Sequence, residues 1–319
     1  MLPLIGRRLV LLVPTILLVT LGIFSLLELV PGDPATTLAG GASATPERIA
    51  EVREELGLSR PFLARYGTWL GDVVRLDFGE SLLTGTSVTE EVRHRLPVTL
   101  SLVLGSMVVG IALGVPVGVI AGARQHGLVD RVLLAITSVW LSVPNFVLAI
   151  LLVNYLSIGL GWFDAVGFTR LTSPEGLQVG DWLKSLTLPS VALGIGTAAR
   201  LARQVRAGVV DTLHEPYVRT AWAKGCRPLT VVGKHVLKNA AIPAVTVAGL
   251  LLGGMLGGTV IVETVFAVPG MGDYLVKAVT SKDMPVIQGV AVMFVVAFAV
   301  INLAVDLIYG WLNPKVSVS

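Results

Sequence analysis

Residues able to do chemistry are few in this chain, and most lie in apolar surroundings. Asn145, Asn154, Glu28, Glu263, Asn302 and Asp306 fall within or at the ends of long hydrophobic runs. Polar groups at membrane depth cost energy, which makes them functional candidates by default. A pathway for a polar solute would draw on Asn145, Asn154 and Glu263. Asn302 and Asp306 are spaced i, i+4 and can hydrogen-bond to each other, and a structural bond suits that pair better than a substrate contact. No enzyme constellation accompanies them. The chain lacks a G-x-x-x-x-G-K-[ST] phosphate loop, an H-E-x-x-H pair and a G-x-S-x-G elbow. Gly233-Lys234 runs into His235, and His214-Glu215 into Pro216. No catalytic residue, bound cofactor or metal site is therefore expected, and energy for uphill work must come from another polypeptide. The lone Cys226 has no internal disulfide partner.

More informative is a basic island, Tyr217-Val-Arg-Thr-Ala-Trp-Ala-Lys-Gly225-Cys-Arg-Pro228-Leu-Thr-Val-Val-Gly-Lys-His-Val-Leu-Lys238. It has a helical period of its own and a glycine stop. A polar segment of that kind between two apolar stretches is suited to being gripped by a soluble protein.

The elements that must hold these residues follow from composition. Hydrophobic residues make up 54% of the 319 and charged ones 14%, where a soluble domain carries roughly a quarter charged; mean hydropathy is +0.80. Spanning a ~30 Å hydrocarbon core takes about 20 apolar residues. Six stretches qualify, near 9–30, 97–121, 131–158, 187–208, 240–262 and 287–311. Each must satisfy its backbone internally, and the runs are too long for barrel strands, so the expectation is an all-α integral membrane protein. Arg7, Arg8, Arg124, Arg131, Arg200, Arg203, Arg206, Arg219, Lys224, Arg227, Lys234 and Lys238 place the loops that carry them, and both termini, in the cytoplasm. The net charge of +3 reflects this topology and not a nucleic-acid face. Arg7-Arg8, the first run and Ala42-Ser-Ala44 superficially follow a cleaved leader, but the run is too long and the alanines too distant.

The plan is thus residues 1–30 as N-terminus and first span, 31–96 as an external cap, 97–311 as a five-helix core with the island and its approach at 211–238, and 312–319 as a cytoplasmic tail. Within the cap, Pro31-Gly-Asp-Pro34 stops the first span. Thr45 caps a helix from Pro46 with Gly57 just past its end, and a second helix runs from Pro61 to Leu76. Phe62, Tyr66, Trp69 and Val73 form a one-sided apolar stripe on it, better suited to lying on the bundle or the interface than to docking a partner. Ser87-Val-Thr-Glu90 has capping-box spacing and opens a short helix ending at Pro97. In the second span, Gly110, Gly114, Gly118 and Gly122 share nearly one face. In the fifth, Gly249, Gly253 and Gly257 repeat the spacing beside Gly254 and Gly258. Such faces let helix backbones approach closely. Pro116 and Pro144 are candidate kinks.

The island also resembles the cytoplasmic EAA loop of permease subunits in binding-protein-dependent ABC importers, through Ala221, Gly225 and Pro243. Arg219, Thr220, His235 and Lys238 depart from the general pattern in the way the dipeptide/oligopeptide/nickel branch does. Pro31–Pro34, Leu56-Gly-Leu, Asp77-Phe-Gly-Glu-Ser81, Glu263 to Pro269-Gly-Met-Gly272, and Asn302 to Asp306 add to the likeness, which covers nearly the whole chain. The resemblance implies a type I ABC importer permease fold and a membrane-spanning permease of peptides or a related small solute, in a bacterial cytoplasmic membrane. It implies half of a translocation pathway completed by a second homologous permease. Two ATP-binding subunits, or a fused one, would carry ATP and Mg, and an external solute-binding protein would deliver cargo amid membrane lipid. Tyr217, Arg219, Ala221, Lys224, Gly225 and Pro228 would form the contact with the ATPase. The alternative is an ion-coupled carrier or channel acting without an ATPase, which the near absence of deep carboxylates disfavours.

Overall fold

The computed structural model describes residues 13–25, 35–36, 39–40, 43–55, 57–173 and 176–312. Pro31–Pro34, Glu28, the ends of the first expected span, Ala42 and the 313–319 tail lie outside the described residues, as does the side chain of Asp306. The described chain is helical apart from one short hairpin: α1 (Val13–Ser25), α2 (Pro46–Glu55), α3 (Phe62–Val74), α4 (Val88–Ala123), α5 (Leu128–Ser142), α6 (Asn145–Leu152), β1 (Thr172–Ser173), β2 (Gly176–Leu177), α7 (Val179–Leu213), α8 (Pro216–Ala223), α9 (Pro228–Thr230), α10 (Leu237–Phe266), α11 (Met271–Ser281) and α12 (Met284–Leu312). Wider π turns extend α6 over Val153–Gly159 and join α9 to α10 over Val231–Val236. β1 and β2 pair antiparallel.

Among the described residues, α4, α10 from Pro243 and α12 to Val305 are each long and apolar enough to cross a membrane. The third expected span, 131–158, is not one straight helix. It breaks by 95° between α5 and α6. Pro144 supplies no N–H and forces the residue before it out of helical geometry; Val143 accordingly sits extended at φ −86°, ψ 119°. Prolines elsewhere behave differently. Pro116 and Pro97 lie inside the unbroken α4, as do Pro189 in α7 and Pro243 in α10. The short helix expected to stop at Pro97 therefore runs on to Ala123 as a single helix, since neighbouring helices can absorb the missing bond.

The chain divides into two compact units. One is built from Val98–Gly272 with the residues from Val300 onward, the other from the residues before Val98 with Asp273–Ala299. In the first, α7 is the central helix, packed on α5, α6 and α10. It also lies against the glycine face of α4. A Cβ on Gly114 would stand 2.5 Å from the Ala198 carbonyl, and one on Gly118 would stand 2.6 Å from that of Ala202. Gly110 faces Thr197, Gly122 faces Val209, and Gly194 of α7 lies reciprocally against the Ser106 carbonyl. With lipid outside, such backbone approach supplies much of the association energy. In α10, Gly249 packs on Val305 and Gly258 on Leu193, Gly253 is buried, and Gly254 and Gly257 face open space.

In the second unit, Thr45 caps α2 through its hydroxyl, which accepts from Arg48 N at 3.3 Å. Gly57, at φ +63°, closes that helix as a Schellman turn: its N–H reaches Glu54 O and that of Leu58 reaches Arg53 O. The stripe on α3 packs on α1. Phe24 meets Phe62, Tyr66 and Trp69 at centroid distances of 5.4–5.6 Å, and the Tyr66 hydroxyl donates to Leu17 O at 3.1 Å. Farther along, Asp283 is buried and accepts from Ser81 Oγ at 2.5 Å and Leu82 N at 3.2 Å. The half-buried Tyr274 lies under the Arg95 guanidinium, 4.5 Å from ring centroid to charge. Burial pushes its phenol above the usual tyrosine range, the Glu91 and Asp283 carboxylates add to the shift, and Arg95 opposes it.

Candidate functional site

The basic island folds as α8, a tight turn, α9 and the π turn into α10. Glu215 takes an extended conformation ahead of Pro216, whose fixed φ suits the first helical position. The eight residues of α8 then divide by face. Val218 is completely buried and Ala221 is 7% exposed. Both join Val205 and Val209 of α7, Val231 and Val236 of the π turn, and Ala240 and Ala244 of α10 in one apolar cluster. Arg219, Trp222 and the C-cap residue Lys224 are exposed, Trp222 by 42%. An isolated eight-residue helix would not hold in water; this one is stable because its underside is part of the core.

Gly225 ends the helix for a conformational reason. Its φ is +72°, where a Cβ is penalised. Its N–H donates to Trp222 O at 2.9 Å and that of Cys226 to Ala221 O at 3.2 Å, the paired bonds of a Schellman stop. Cys226 packs against the apolar cluster. Arg227 then turns the chain and Pro228 opens α9 at its first position. Leu229, 88% exposed, stands out beside them. Of the six island residues singled out from sequence, Arg219, Lys224, Gly225 and Pro228 thus lie on the surface. Ala221 faces inward, and Tyr217 is 41% exposed while its hydroxyl is bonded within the chain.

The pathway candidates are placed differently. Glu263 is fully buried near the end of α10. Its carboxylate accepts from the Thr99 hydroxyl of α4 at 2.7 Å and from Gly272 N at 2.7 Å, and Thr99 Oγ1 in turn accepts from Met271 N at 2.8 Å. Gly270 and Gly272 are required there, since a Cβ on either would press on that carboxylate. Asn145 opens α6 just past the 95° break, with its Oδ1 close to Gly196 of α7. Asn154 is exposed in the π turn, and its Nδ2 donates to Ile150 O of its own helix at 2.9 Å.

One pair escaped sequence reasoning. Asp130 and Arg206 form a bidentate ion pair at 2.6 and 2.7 Å, with the Asp130 side chain 3% exposed. The other Asp130 bond is from His126 N at 3.0 Å. In the sequence Arg206 reads only as a cytoplasmic charge, and nothing local marks Asp130 as its partner. The available signal was a single acid next to Arg131 where the loop re-enters an apolar run.

Two family models match the chain. The binding-protein-dependent transport system inner membrane component matches residues 114–318, and its N-terminal companion matches residues 1–103. The chain belongs to this permease family. Among curated relatives, a probable peptide ABC transporter permease (y4tP) of Sinorhizobium fredii is 39% identical over 97% of each chain. The dipeptide transport system permease DppB of Alkalihalophilus pseudofirmus is 37% identical over 97% of this chain and 98% of its own. The glutathione transport system permease GsiC of Pectobacterium atrosepticum is 39% identical over 97% of each. A chain of the inward-facing MetNI methionine ABC transporter superposes with a TM-score of 0.59 at 21% identity, over 70% of this chain and 96% of its own; at that identity the likeness speaks for fold. The permease is a multi-pass protein of the bacterial inner membrane and a subunit of an ATP-driven importer.

Proposed function

We propose that this permease imports peptides or a related small solute, and that α8 is the helix through which ATPase subunits drive it. The observation that carries this is the two-faced construction of α8. A core-anchored underside of Val218 and Ala221 supports an exposed face bearing Arg219, Trp222 and Lys224. A surface loop needs no such anchorage, whereas a lever that must transmit force does. The peptide, dipeptide and glutathione permeases among its relatives support the substrate class. In this reading six spans leave both termini in the cytoplasm. α1, the bent pair α5–α6 and α7 complete the three clear spans, and the segments 31–96, 159–186 and 263–286 face outward.

A second homologous permease completes the pathway, two ATP-binding subunits or a fused one hold ATP and Mg, and an external binding protein delivers cargo. ATPase closure draws the two coupling helices together and turns the bundle outward by rigid-body motion. Reconstitution in lipid vesicles tests this. The chain alone should move no peptide, and uptake should appear only with the second permease, the ATPase subunits, the binding protein and ATP. Uptake by the lone chain would favour an autonomous carrier or channel and end the proposal.

A further inference from the structure

Below, α8 is held by apolar burial; at its side it is held by a polar clasp. The Asn239 amide donates from Nδ2 to the Tyr217 hydroxyl at 2.6 Å, and Tyr217 donates to the His235 carbonyl at 3.4 Å. His235 lies in the π turn and Asn239 in the first turn of α10, so the tyrosine hydroxyl bridges their junction. The π turn determines which face of α10 Asn239 occupies. The Leu237 N–H reaches back five residues to Val232 O, where an α-helix reaches four, so everything beyond is rotated by about 100° relative to unbroken α phase. The next residue, Ala240, is buried against α7, where a Cβ on Gly208 would stand 3.0 Å from its carbonyl. Asn239, exposed one residue before it, joins α10 to α8 and, through the Tyr217 hydroxyl, to the π turn. From there α10 continues unbroken to Phe266, and Glu263 at its far end holds Thr99 and Gly272.

We propose that Asn239 is a positioning residue. Through the Tyr217 hydroxyl it locks the coupling helix to α10, so that a displacement imposed on α8 is delivered to α10 and not lost as rotation of α8 on its Val218–Ala221 seat. This rests on the coupling role proposed for α8. Without the clasp, only the apolar packing of Val218 and Ala221 resists rotation of this eight-residue helix about its own axis. With it, the tyrosine ring acts as a strut between the two elements.

The test uses the complete transporter in proteoliposomes, with a mixed pool of di- to hexapeptides as probe, and reads peptide taken up per ATP hydrolysed. Asn239→Leu should lower that ratio about tenfold while the ATPase subunits still co-purify. Tyr217→Phe should lower it similarly, and the double variant should be no worse than either single one. Asn239→Gln, which restores a donor, should recover most of the loss. A purely structural role would reduce the amount of complex and leave the ratio unchanged. Should Asn239→Leu fail to insert, Asn239→Ser, whose side chain is too short to reach, serves in its place. A ratio within about twofold of the parent, or losses that multiply in the double variant, overturns the clasp. Parent complexes that take up the pool without ATP overturn the importer reading instead.

Discussion

The Asp130–Arg206 pair shows most directly what a single residue does here. Two charges are held at 2.6 and 2.7 Å with the acid almost fully buried, and they tie the start of α5 to α7. Removing Arg206 leaves the Asp130 carboxylate buried without compensation, whereas the Arg206 side chain is itself a quarter exposed. Arg206→Ala is therefore expected to destabilise the permease by about 3 kcal/mol, seen as a lowered thermal unfolding midpoint in detergent. An Asp130→Leu/Arg206→Met double variant should recover most of that, because a matched apolar pair carries no desolvation penalty. Equal losses in the single and double variants would mean that packing, not charge pairing, sets the value of the site. Glu263 follows the same logic. Its carboxylate accepts from Thr99 and Gly272, a bracket that seats the turn before α11.

At the scale of elements, glycine spacing has two outcomes in one chain. On α4 the face is occupied: Gly114 lies directly against the Ala198 carbonyl. On α10, Gly257 has nothing within 4 Å. Gly114→Val should separate α4 from α7 and cost about 1–3 kcal/mol. Gly257→Ala in the isolated chain should be neutral or stabilising by up to about 1 kcal/mol from helix propensity. Denaturation of the purified permease measures both, and a harmless Gly114→Val would disprove the close approach. Prolines divide likewise. The 95° break at Pro144 and the unbroken helix through Pro97, Pro116, Pro189 and Pro243 carry the same local penalty; neighbouring helices decide whether the chain bends.

For the whole molecule, function depends on how α8 meets a partner. A Cβ on Gly225 meets nothing within 4 Å, while its φ of +72° disfavours any side chain. Gly225→Trp should thus insert normally and yet obstruct the ATPase, abolishing ATP-driven uptake or releasing the ATPase subunits in co-purification. Normal uptake by that variant would refute a coupling role for the turn. Much of this was legible in the sequence. Composition alone determined an all-α membrane protein, since backbone groups in lipid must be satisfied within each segment. The island, its Gly225 stop and the helix capped by Thr45 follow from local backbone chemistry. Local rules did not reveal the inward face of Ala221, the Tyr217–Asn239 clasp, the Asp130–Arg206 pair or the Glu263 bracket. The clasp, the pair and the bracket bring together residues 9 to 172 positions apart, and Ala221 faces inward through its packing with Val205, Val231 and Ala240. Only packing of the helices against one another brings such residues together, and only the tertiary structure could decide them.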